Sequence, residues 1–470
     1  MSVAHPGVPS YSRSVAEFAI QGDATAGRPS IEESVVELGR ELGHRGRSPK
    51  AFRRAAHERF MGMVSSDEGL RAAAFRLVDV APACLNDREL SDHFAAYLSQ
   101  ADQDHGPARF GLRAARSPVL GPVTGRVSSL MVRQMARRFI VGETVADSAP
   151  TLRSLWRHGV ASTVDLLGEA TVSYEEGQAY ADRCDDALLA LSELTAKWPA
   201  NRLLEMDSAG PLPRANLSVK VTALTPEVRA AAPDRGRADA ARHLRRLLRR
   251  ADELGAHLHV DMESMDSRDL VLDLVLDLLA EPEFANGPSV GLVLQAYLRD
   301  CEDTLDRILA RVREAQRSVP LTIRLVKGAY WDHETIEAEQ HGWVPPVWTE
   351  KADSDRSFEL MSTRLIDAFP LVRPAFGSHN LRSIAFAATY ARSAGLSPQD
   401  IEIQVLRGLG DELQEAVVRA GFRCRAYCPV GDMVAGMAYL VRRLLENTSN
   451  NSFLANRAAG SDLDDLLRRP

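Results

Sequence analysis

Short apolar runs recur eight times between residues 160 and 427, and amphipathic helical patterns separate one run from the next. Runs that are apolar throughout are typical of strands buried on both faces, as in parallel sheets covered by helices. Eight such repeats predict an α/β fold, a closed (βα)8 TIM-like barrel. An open doubly wound sheet is the alternative, because the number of repeats does not show whether the sheet closes. The runs are Val160–Leu166, Leu217–Val221, Leu258–Met262, Val290–Leu294, Leu321–Val326, Leu371–Phe376, Ile401–Leu406 and Arg423–Tyr427.

The segments on either side of these repeats have a different pattern. Residues 1–29 are rich in Gly, Pro, Ser and Ala, which predicts a flexible arm. Residues 30–150 show helical patterns without strand-like alternation, and Ser30 with Glu33 has the spacing of a capping box, so we predict a helical domain. We assign the barrel to residues 151–455 and a C-terminal tail to residues 456–470.

Charge and cysteine content exclude several classes of protein. The 57 Lys and Arg residues are outnumbered by 64 Asp and Glu residues, so overall charge does not favour nucleic-acid binding. Five cysteines without a CxxC motif argue against a disulfide framework. The sequence has neither a long apolar stretch nor a secretory signal pattern. We expect a cytoplasmic protein with no nucleic-acid partner and at most peripheral contact with the inner face of a membrane.

Polar side chains stand at or near the end of almost every predicted strand. In a (βα)8 barrel the chemistry takes place at the C-terminal strand ends, so these side chains are candidates for an active site. The alternative is that they only terminate the strands. They are Asp165, Lys220, Asp261, Glu263, Gln295, Arg324, Lys327, Ser378, His379, Gln404 and Tyr427.

These residue types restrict the reaction. An HExxH motif is absent, which argues against a zinc protease. The one GxSxG match, residues 287–291, leads into an apolar strand pattern and not from a strand into a helix, so the nucleophile elbow of a serine hydrolase is not indicated. His257 and His259 share a strand face with Asp261, but they stand at the start of the strand, where packing is favoured over metal binding. A Schiff-base lysine, Lys220 or Lys327, would fit aldolase-type chemistry on this fold and stays open.

The segment RLVKGAYWD, from Arg324 to Asp332, is the most unusual in the chain. A strand runs into Lys-Gly and then into Tyr330 and Trp331, which places two aromatic rings at the barrel mouth. Glycine allows close approach of a ligand to the backbone, and rings beside cations suit a conjugated, phosphate-bearing cofactor. The alternative is that the two rings only cover the top of the barrel.

Two arginine-containing helical segments remain. Arg442 and Arg443 lie in an amphipathic pattern from about residue 432 to residue 447. They either end a solvated helix or clamp a small carboxylate by forked hydrogen bonds. The basic run Arg242–Arg250 has leucines at helical spacing, so we interpret its arginines as the solvated face of a barrel helix.

Eight motifs in fixed order over residues 216–453 resemble the proline dehydrogenase domain of the bifunctional proline utilization A flavoenzymes. The motifs are NLSVKVTAL, VDMESMDSRDL, GLVLQAY, IRLVKGAYWD, FGSHN, IQVLRGLGDEL, YCPVGDM and AYLVRRLLENTSNNSF. VDLLGEATVSYEEGQAY, residues 164–180, extends the resemblance upstream. It implies a distorted barrel that binds FAD non-covalently, oxidation of L-proline to 1-pyrroline-5-carboxylate as the first step of proline catabolism to glutamate, and electron transfer to a quinone.

The resemblance also implies roles for individual residues. The proline carboxylate is expected to bind Lys220, Arg442 and Arg443. The pyrrolidine ring is expected to lie against Ala329, Tyr330, Leu406 and Tyr427, with Asp261 supporting the pocket and Glu169 pairing with an arginine as a gate. FAD is expected to contact Gln295, Arg324, Val326, Lys327, Gly328, Trp331, Ser378, His379 and Glu446. Ser378 stands where relatives often carry threonine, and the hydroxyl is retained.

The family pattern differs from this sequence at both ends. Relatives continue into an aldehyde dehydrogenase domain, and some begin with a DNA-binding segment; we expect neither activity here, and an aldehyde dehydrogenase domain or partner would lie outside this chain. Two rival functions stay open. One is a lyase or aldolase with a Schiff-base lysine and no flavin, and the other is a scaffold that keeps the barrel without turnover.

Overall fold

The computed structural model describes residues 30–43, 86–99, 139–168, 171–228, 233–432 and 462–470, together with Arg76, Val80, Cys84 and Gly436. Eight parallel strands form a closed barrel, in which the last strand pairs with the first. The predicted (βα)8 TIM-like barrel is therefore confirmed, and the open doubly wound sheet is excluded. The strands in chain order are β1 (Val160–Leu166), β2 (Met206–Asp207), β3 (Gly210–Pro211), β4 (Asn216–Val219), β5 (His257–Val260), β6 (Ser289–Gln295), β7 (Leu321–Val326), β8 (Val372–Gly377), β9 (Glu402–Leu406) and β10 (Arg423–Val430).

A short hairpin, β2 and β3, lies outside the barrel, and the other strands belong to it. The bounds of the barrel strands differ from the predicted runs by up to three residues. Val221 lies in a 3-10 turn, Val221–Ala223, and Met262 follows β5. In both places the chain leaves the barrel wall before the apolar run ends. The run in the sequence is therefore longer than the strand.

Helices surround the barrel and precede it. The apolar faces of most of them form one continuous core with the strands. The helices are α1 (Ile31–Gly43), α2 (Asp87–Leu98), α3 (Val145–Arg157), α4 (Tyr174–Thr195), α5 (Arg202–Glu205), α6 (Pro233–Glu253), α7 (Met265–Leu279), α8 (Cys301–Ala315), α9 (Trp331–His341), α10 (Lys351–Asp367), α11 (Leu381–Ser393), α12 (Asp411–Arg419) and α13 (Leu463–Leu466).

Helix α6 contains the basic run Arg242–Arg250, with leucines on its buried face and arginines on its solvent-facing side. The leucines of the run, Leu244 and its neighbours one turn on, are buried against the barrel. Its arginines form ion pairs with acidic residues, such as Arg245 with Glu281 at 2.6 Å and Arg249 with Glu283 at 2.7 Å. The run is thus a solvated helix face, as its leucine spacing predicts.

Helix α1 packs on the barrel and not only within the helical region to which we assigned it. The predicted capping box is present, with the Glu33 backbone donating to Ser30 Oγ and the Ser30 backbone donating to Glu33 Oε2. Leu38 and Leu42 join the barrel core, and the buried Arg382 of α11 binds the carboxylate of Glu32. The division between residues 30–150 and the barrel stays a prediction, as does the arm at residues 1–29, which lies outside the described residues.

The C-terminal residues also contact this region. Leu467 is fully buried and packs on Gly39 of α1, where a Cβ atom would lie 2.4 Å from its side chain. Arg40 forms an ion pair of 2.8 Å with Asp464. Residues 462–470 are therefore docked against α1.

The lower half of the barrel interior, at the N-terminal strand ends, is charged. We call this region the barrel floor and define it by the buried side chains Asp207, Arg373, Glu402, Arg423 and Arg425. Arg373 Nε donates to Asp207 Oδ2 at 2.8 Å, and Arg425 Nε donates to Glu402 Oε1 at 2.8 Å. Ion pairs thus occupy positions that apolar side chains usually fill in such barrels.

Gln404 and the two histidines of β5 belong to this lower half. Gln404 Nε2 donates to Glu402 Oε1 at 2.7 Å. Gln404 therefore lies at the lower end of the barrel, and its prediction as a candidate active-site residue is wrong. His257 Nδ1 lies 2.9 Å from Ser289 Oγ, and His257 Nε2 lies 3.2 Å from His259 Nδ1. Burial lowers the pKa of His257 to about 3, and the pKa of His259 is lowered as well. Both rings are neutral packing groups, the interpretation that the sequence favoured.

Because of Glu402, the free energy of unfolding should depend on pH in the acidic range. Burial alone would raise its pKa, but Arg425 and Arg423 outweigh burial and lower the pKa to about 2. A carboxylate with a lowered folded-state pKa contributes stability above its unfolded pKa and loses it as the pH falls towards the folded value. We expect Glu402→Gln to remove up to about 3 kcal/mol of the decrease in unfolding free energy between about pH 4.5 and pH 2, measured by urea titration at each pH.

The matched control for this prediction is Glu283→Gln. Glu283 pairs with Arg249 at the protein surface, where an ion pair contributes little to stability. An unchanged acid dependence in Glu402→Gln would contradict the assignment.

The five cysteines are all free, and four of them are buried. This agrees with the prediction that no disulfide framework holds the chain. Separately, none of the helices in the described ranges combines the length and apolar composition that a membrane crossing requires.

Candidate active site

Five charged or phenolic side chains meet at the upper, C-terminal end of the barrel. We call them the mouth cluster: Asp165 of β1, Lys220 after β4, Asp261 after β5, Arg324 of β7 and Tyr427 of β10. Four were predicted as site residues. Neighbouring parallel strands place them together, because side chains at corresponding registers point to the same barrel layer.

Asp261 is the centre of the mouth cluster. Its Oδ1 accepts hydrogen bonds from Ser218 Oγ and from Arg324 Nη1, each at 2.7 Å. Its Oδ2 accepts from the hydroxyl of Tyr427 at 2.6 Å. Burial would raise the pKa of Asp261, but Arg324 and Lys220 outweigh it and lower the pKa below its ordinary value. The side chain is an ionised carboxylate that holds its neighbours in place.

Tyr427 lies between this carboxylate and Arg324. The Arg324 guanidinium carbon is 5.3 Å from the centre of the tyrosine ring, in cation–π contact. Burial, with Asp165 and Asp261 nearby, raises the pKa of Tyr427 well above its ordinary value. The phenol therefore keeps its proton at neutral pH and acts as a fixed hydrogen-bond donor.

Lys220 is held by two carboxylates. Its Nζ lies 2.5 Å from Asp165 Oδ1 and 4.0 Å from Asp261 Oδ2. Burial would lower the pKa of Lys220, but these carboxylates outweigh burial and raise the pKa above its ordinary value. Schiff-base chemistry needs a neutral amine with a lowered pKa. The geometry at Lys220 therefore favours a permanent cation that binds an anion and disfavours the aldolase alternative there.

Asp165 was among the strand-end candidates, but sequence reasoning gave it no role in the site. It is 1% exposed, and burial raises its pKa above the ordinary value in spite of the lysine beside it. The signal in the sequence was the position of this charged residue one residue before the end of a mostly apolar run, where a buried carboxylate needs a partner.

Two nitrogen atoms of the Arg324 guanidinium make no hydrogen bond to the described residues. Nη1 is used by Asp261, whereas Nε and Nη2 are buried and have no hydrogen-bond partner among the described residues. A buried guanidinium N–H without an acceptor is unfavourable, so these two donors point to a ligand that supplies acceptors. Gln295, at the end of β6, is fixed nearby on the same rim by donation from Nε2 to the Glu263 backbone oxygen at 3.0 Å.

The loop after β7 forms another side of the mouth. Val326 ends the strand, and the ammonium group of Lys327 binds the carboxylate of Asp355. Burial lowers the pKa of Lys327 to about 8 although Asp355 opposes the shift. Gly328 has a φ of +137°, and a Cβ atom there would lie 2.4 Å from the ring of Tyr297, so only glycine fits.

The two aromatic residues of this loop lie at the start of α9. Tyr330 is the N-cap residue of the helix and Trp331 its first residue. The Trp331 indole is held by a hydrogen bond of 2.9 Å from Nε1 to the Trp348 backbone oxygen, yet the residue is 42% exposed. A fixed and exposed indole offers a stacking surface to a planar group.

The fourth side of the mouth contains the predicted residues of β8 and β9. His379 Nε2 accepts a hydrogen bond of 3.0 Å from the backbone N–H of Leu406, the last residue of β9. Ser378 Oγ accepts from the backbone N–H of Asn380 at 3.1 Å. Leu406 and His379 are therefore adjacent, which the sequence separation of these residues did not show.

Four predicted site residues lie outside the described residues. They are Glu169, Arg442, Arg443 and Glu446. Their assignments stay predictions. The mouth cluster, all of whose members are described, holds two cations, Lys220 and Arg324, against two carboxylates, Asp165 and Asp261.

Comparison with known proteins adds independent findings. Residues 148–456 match the family model of proline dehydrogenase, and residues 32–139 match that of the proline utilization A N-terminal domain. The chain is similar to the bifunctional protein PutA of Klebsiella aerogenes, with 32% identity over 358 residues that are 74% of this chain and 26% of the relative. It is also similar to proline dehydrogenase 1 of Bacillus subtilis (strain 168), with 26% identity over 68% of this chain and 89% of the relative.

Solved structures show the same relation. The structure of proline utilization A from Bdellovibrio bacteriovorus inactivated by N-propargylglycine matches with a TM-score of 0.84 and 34% identity, over 94% of this chain and 44% of that one. Proline utilization A from Bradyrhizobium japonicum matches with a TM-score of 0.73 and 25% identity. The chain spans about a quarter of the length of the bifunctional curated relatives that it matches.

Proposed function

Since this chain belongs to the proline dehydrogenase family, of the proline utilization A type, we propose that it oxidises L-proline to 1-pyrroline-5-carboxylate with non-covalently bound FAD. The match of residues 148–456 to the family covers the whole barrel and its mouth. The observation that carries the proposal is the mouth cluster, in which a half-buried lysine and a buried arginine with unused donors surround one ionised carboxylate.

The donors of the mouth fit a flavin. Arg324 has two buried N–H groups that lack acceptors within the described ranges, and a flavin ring carries nitrogen and oxygen acceptors along one edge. The loop at Gly328 leaves no room for a Cβ atom, and Lys327 beside it supplies a cation for phosphate. Trp331 offers an exposed ring for stacking. We propose FAD contacts for these residues and for Gln295, Val326, Ser378, His379 and Glu446.

The substrate pocket follows from the charges. Proline is a small zwitterion, and its carboxylate can bind a buried site only if cations offset its desolvation. We propose that Lys220, Arg442 and Arg443 bind the carboxylate, while Tyr330, Leu406 and Tyr427 enclose the ring. Glu169 is proposed to pair with an arginine as a gate.

Asp165 and Asp261 position these groups. Asp261 aligns Arg324 and Tyr427, and Asp165 keeps Lys220 protonated. Bound FAD would supply the acceptor for the hydride that leaves the substrate carbon beside the amine. That carbon releases hydride only if the amine is neutral, and the cation of Lys220 near the bound substrate favours loss of the amine proton.

We propose further partners from the same family relation. Electrons pass from the reduced protein to a quinone, which would bring the chain to the inner face of a membrane by peripheral contact. The imine product hydrolyses to an aldehyde, the substrate of an aldehyde dehydrogenase domain or partner. The bifunctional relatives, of which this chain spans only part, support the proposal of an aldehyde dehydrogenase domain or partner.

Absorbance spectroscopy tests the proposed function. We expect the purified protein, reconstituted with FAD, to absorb between about 350 and 500 nm and to lose this absorbance when L-proline is added without an acceptor. A quinone should restore it. A colourless protein that is trapped by borohydride on Lys220 or Lys327 would instead establish the aldolase alternative, and flavin binding without reduction by proline would establish a scaffold.

N-propargylglycine provides a second test. The Bdellovibrio bacteriovorus relative is described as inactivated by this compound. We expect it to inactivate this chain as well, with protection by excess L-proline, because both would occupy the same pocket. Inactivation at the same rate with and without proline would place the reactive site elsewhere.

Tyr427→Phe should change substrate preference. Its hydroxyl donates to Asp261 at 2.6 Å and occupies space beside the proposed ring site. Without this hydroxyl, we expect the ratio of kcat/KM for 4-hydroxyproline to that for proline to rise about tenfold. Tyr390→Phe, on the outer helix α11, is the matched control. A ratio that does not change would show that Tyr427 lies away from the ring.

A further inference from the structure

The barrel floor has an excess of positive charge. Three arginines, Arg373, Arg423 and Arg425, face two carboxylates, Asp207 and Glu402, and all five side chains are buried. The neighbouring histidines of β5 do not change the sum, because burial lowers their pKa values and leaves them neutral. Among the described residues, one positive charge of this buried group therefore has no carboxylate of its own, which is unfavourable.

Arg423 is the cation that lacks a close partner. Asp207 is bound by Arg373 at 2.8 Å, and Glu402 is bound by Arg425 at 2.8 Å and by Gln404 at 2.7 Å. Arg423 Nε lies 3.4 Å from Glu402 and Nη1 lies 3.7 Å from Asp207. Both carboxylates are thus occupied by other donors, and Arg423 contacts them only at longer distance.

Unused donors converge on one space. Nη1 of Arg373 and Nε and Nη1 of Arg423 are buried without a hydrogen-bond partner in the part of the chain that the structure describes. His259 Nε2 and Asn216 Oδ1 are also buried and have no hydrogen-bond partner among the described residues. Each can present an N–H group, the histidine as its Nε2 tautomer and the asparagine after an amide flip.

These residues line a cavity of about 20 Å³ between the strands. A space of this size holds a single particle such as a water molecule or a halide ion. The cavity therefore combines a net positive charge, several converging N–H donors and room for one atom.

We propose that the barrel floor binds one halide ion, chloride under cellular conditions, between Arg373 and Arg423. The ion neutralises the excess positive charge and accepts hydrogen bonds from the unused N–H groups. A water molecule would accept hydrogen bonds but would leave the charge uncompensated. The site lies at the opposite end of the barrel from the mouth cluster and is independent of the proposed function.

Thermal unfolding at constant ionic strength tests the proposal. Replacing gluconate by chloride up to about 0.3 M should raise the Tm by roughly 2 °C with saturation, as expected for a ligand bound only by the folded state. Bromide should act in the same way, and crystals soaked in bromide should show an anomalous peak between the two guanidinium groups. A bromide peak elsewhere only, or equal Tm values in chloride and gluconate, would overturn the proposal in favour of a bound water.

Two variants of opposite charge sharpen the test. Arg423→Gln removes the uncompensated cation and should raise the half-saturating chloride concentration at least tenfold. Glu402→Gln adds one net positive charge and should lower that concentration. Arg249→Gln, at a surface ion pair, is the control and should leave it unchanged. If Arg423→Gln does not fold, the bromide peak and the halide titration of the unmodified protein decide the question.

Discussion

Replacing Asp261 with alanine is expected to lower kcat/KM for proline by about a hundredfold or more, the largest effect of any single change at the mouth. Asp261 accepts hydrogen bonds from Ser218, Arg324 and Tyr427. Removing one partner of a buried charge pair costs about 3–5 kcal/mol, because the remaining charge is left uncompensated. Arg324 and Tyr427 would lose their alignment, and steady-state kinetics with proline and a quinone acceptor measure the loss.

Asp261→Asn separates charge from geometry. The amide retains an acceptor for Tyr427 or Ser218 but no longer balances Arg324. We expect an intermediate loss of kcat/KM and a shift in the flavin absorbance, because the positive charge of Arg324, which we propose contacts the flavin, is then less compensated. If the alanine variant kept kcat/KM within about twofold of the unmodified protein, the central position of Asp261 would have no catalytic meaning.

Lys220→Met is expected to raise the KM for proline by about a hundredfold while FAD stays bound. The reason is that Lys220 is a permanent half-buried cation, held by Asp165 at 2.5 Å, and a carboxylate entering the mouth needs such a cation. The flavin spectrum reports cofactor binding, and initial rates against proline concentration report KM. Arg442→Met should raise KM similarly, although its position lies outside the described residues.

Asp165 supplies the matched variants for this prediction. Asp165→Asn removes the carboxylate that competes for Lys220, so the KM for proline should fall or stay constant while the pH dependence of KM shifts. The double variant with Lys220→Met should show the high KM of the lysine variant alone. Lys197→Met, on the exposed surface, controls for the loss of a lysine. A normal KM in Lys220→Met would show that the carboxylate binds elsewhere.

The position of Gln404 shows where strand-end reasoning fails. Gln404 and Leu406 lie on the same strand, two residues apart, yet Leu406 reaches the mouth and Gln404 lies in the barrel floor beside Glu402. Strands in a barrel are tilted and staggered, so position within a strand does not give height in the barrel. Only the pairing register decides which residues share a layer.

The role of Asp165 was missed for a related reason. Its partner Lys220 is 55 residues away, and the contact exists because β1 pairs with β4, with Asp165 opposite Ser218. The pairing of β4 with β5 brings Ser218 to Asp261 in the same way. A sequence shows that a carboxylate stands in an apolar strand, but the partner that makes it stable there comes from another strand.

The sequence by itself determined the class of fold and the identity of most groups at the mouth. Apolar periodicity is a local property, and it specifies strands, helices and their alternation without knowledge of contacts. The tertiary structure decided which side chains meet, which donors stay unused, and which charges are balanced. Pairing between strands distant in the chain sets these distances, and pKa values and hydrogen bonds depend on distances of a few ångströms that no local pattern contains.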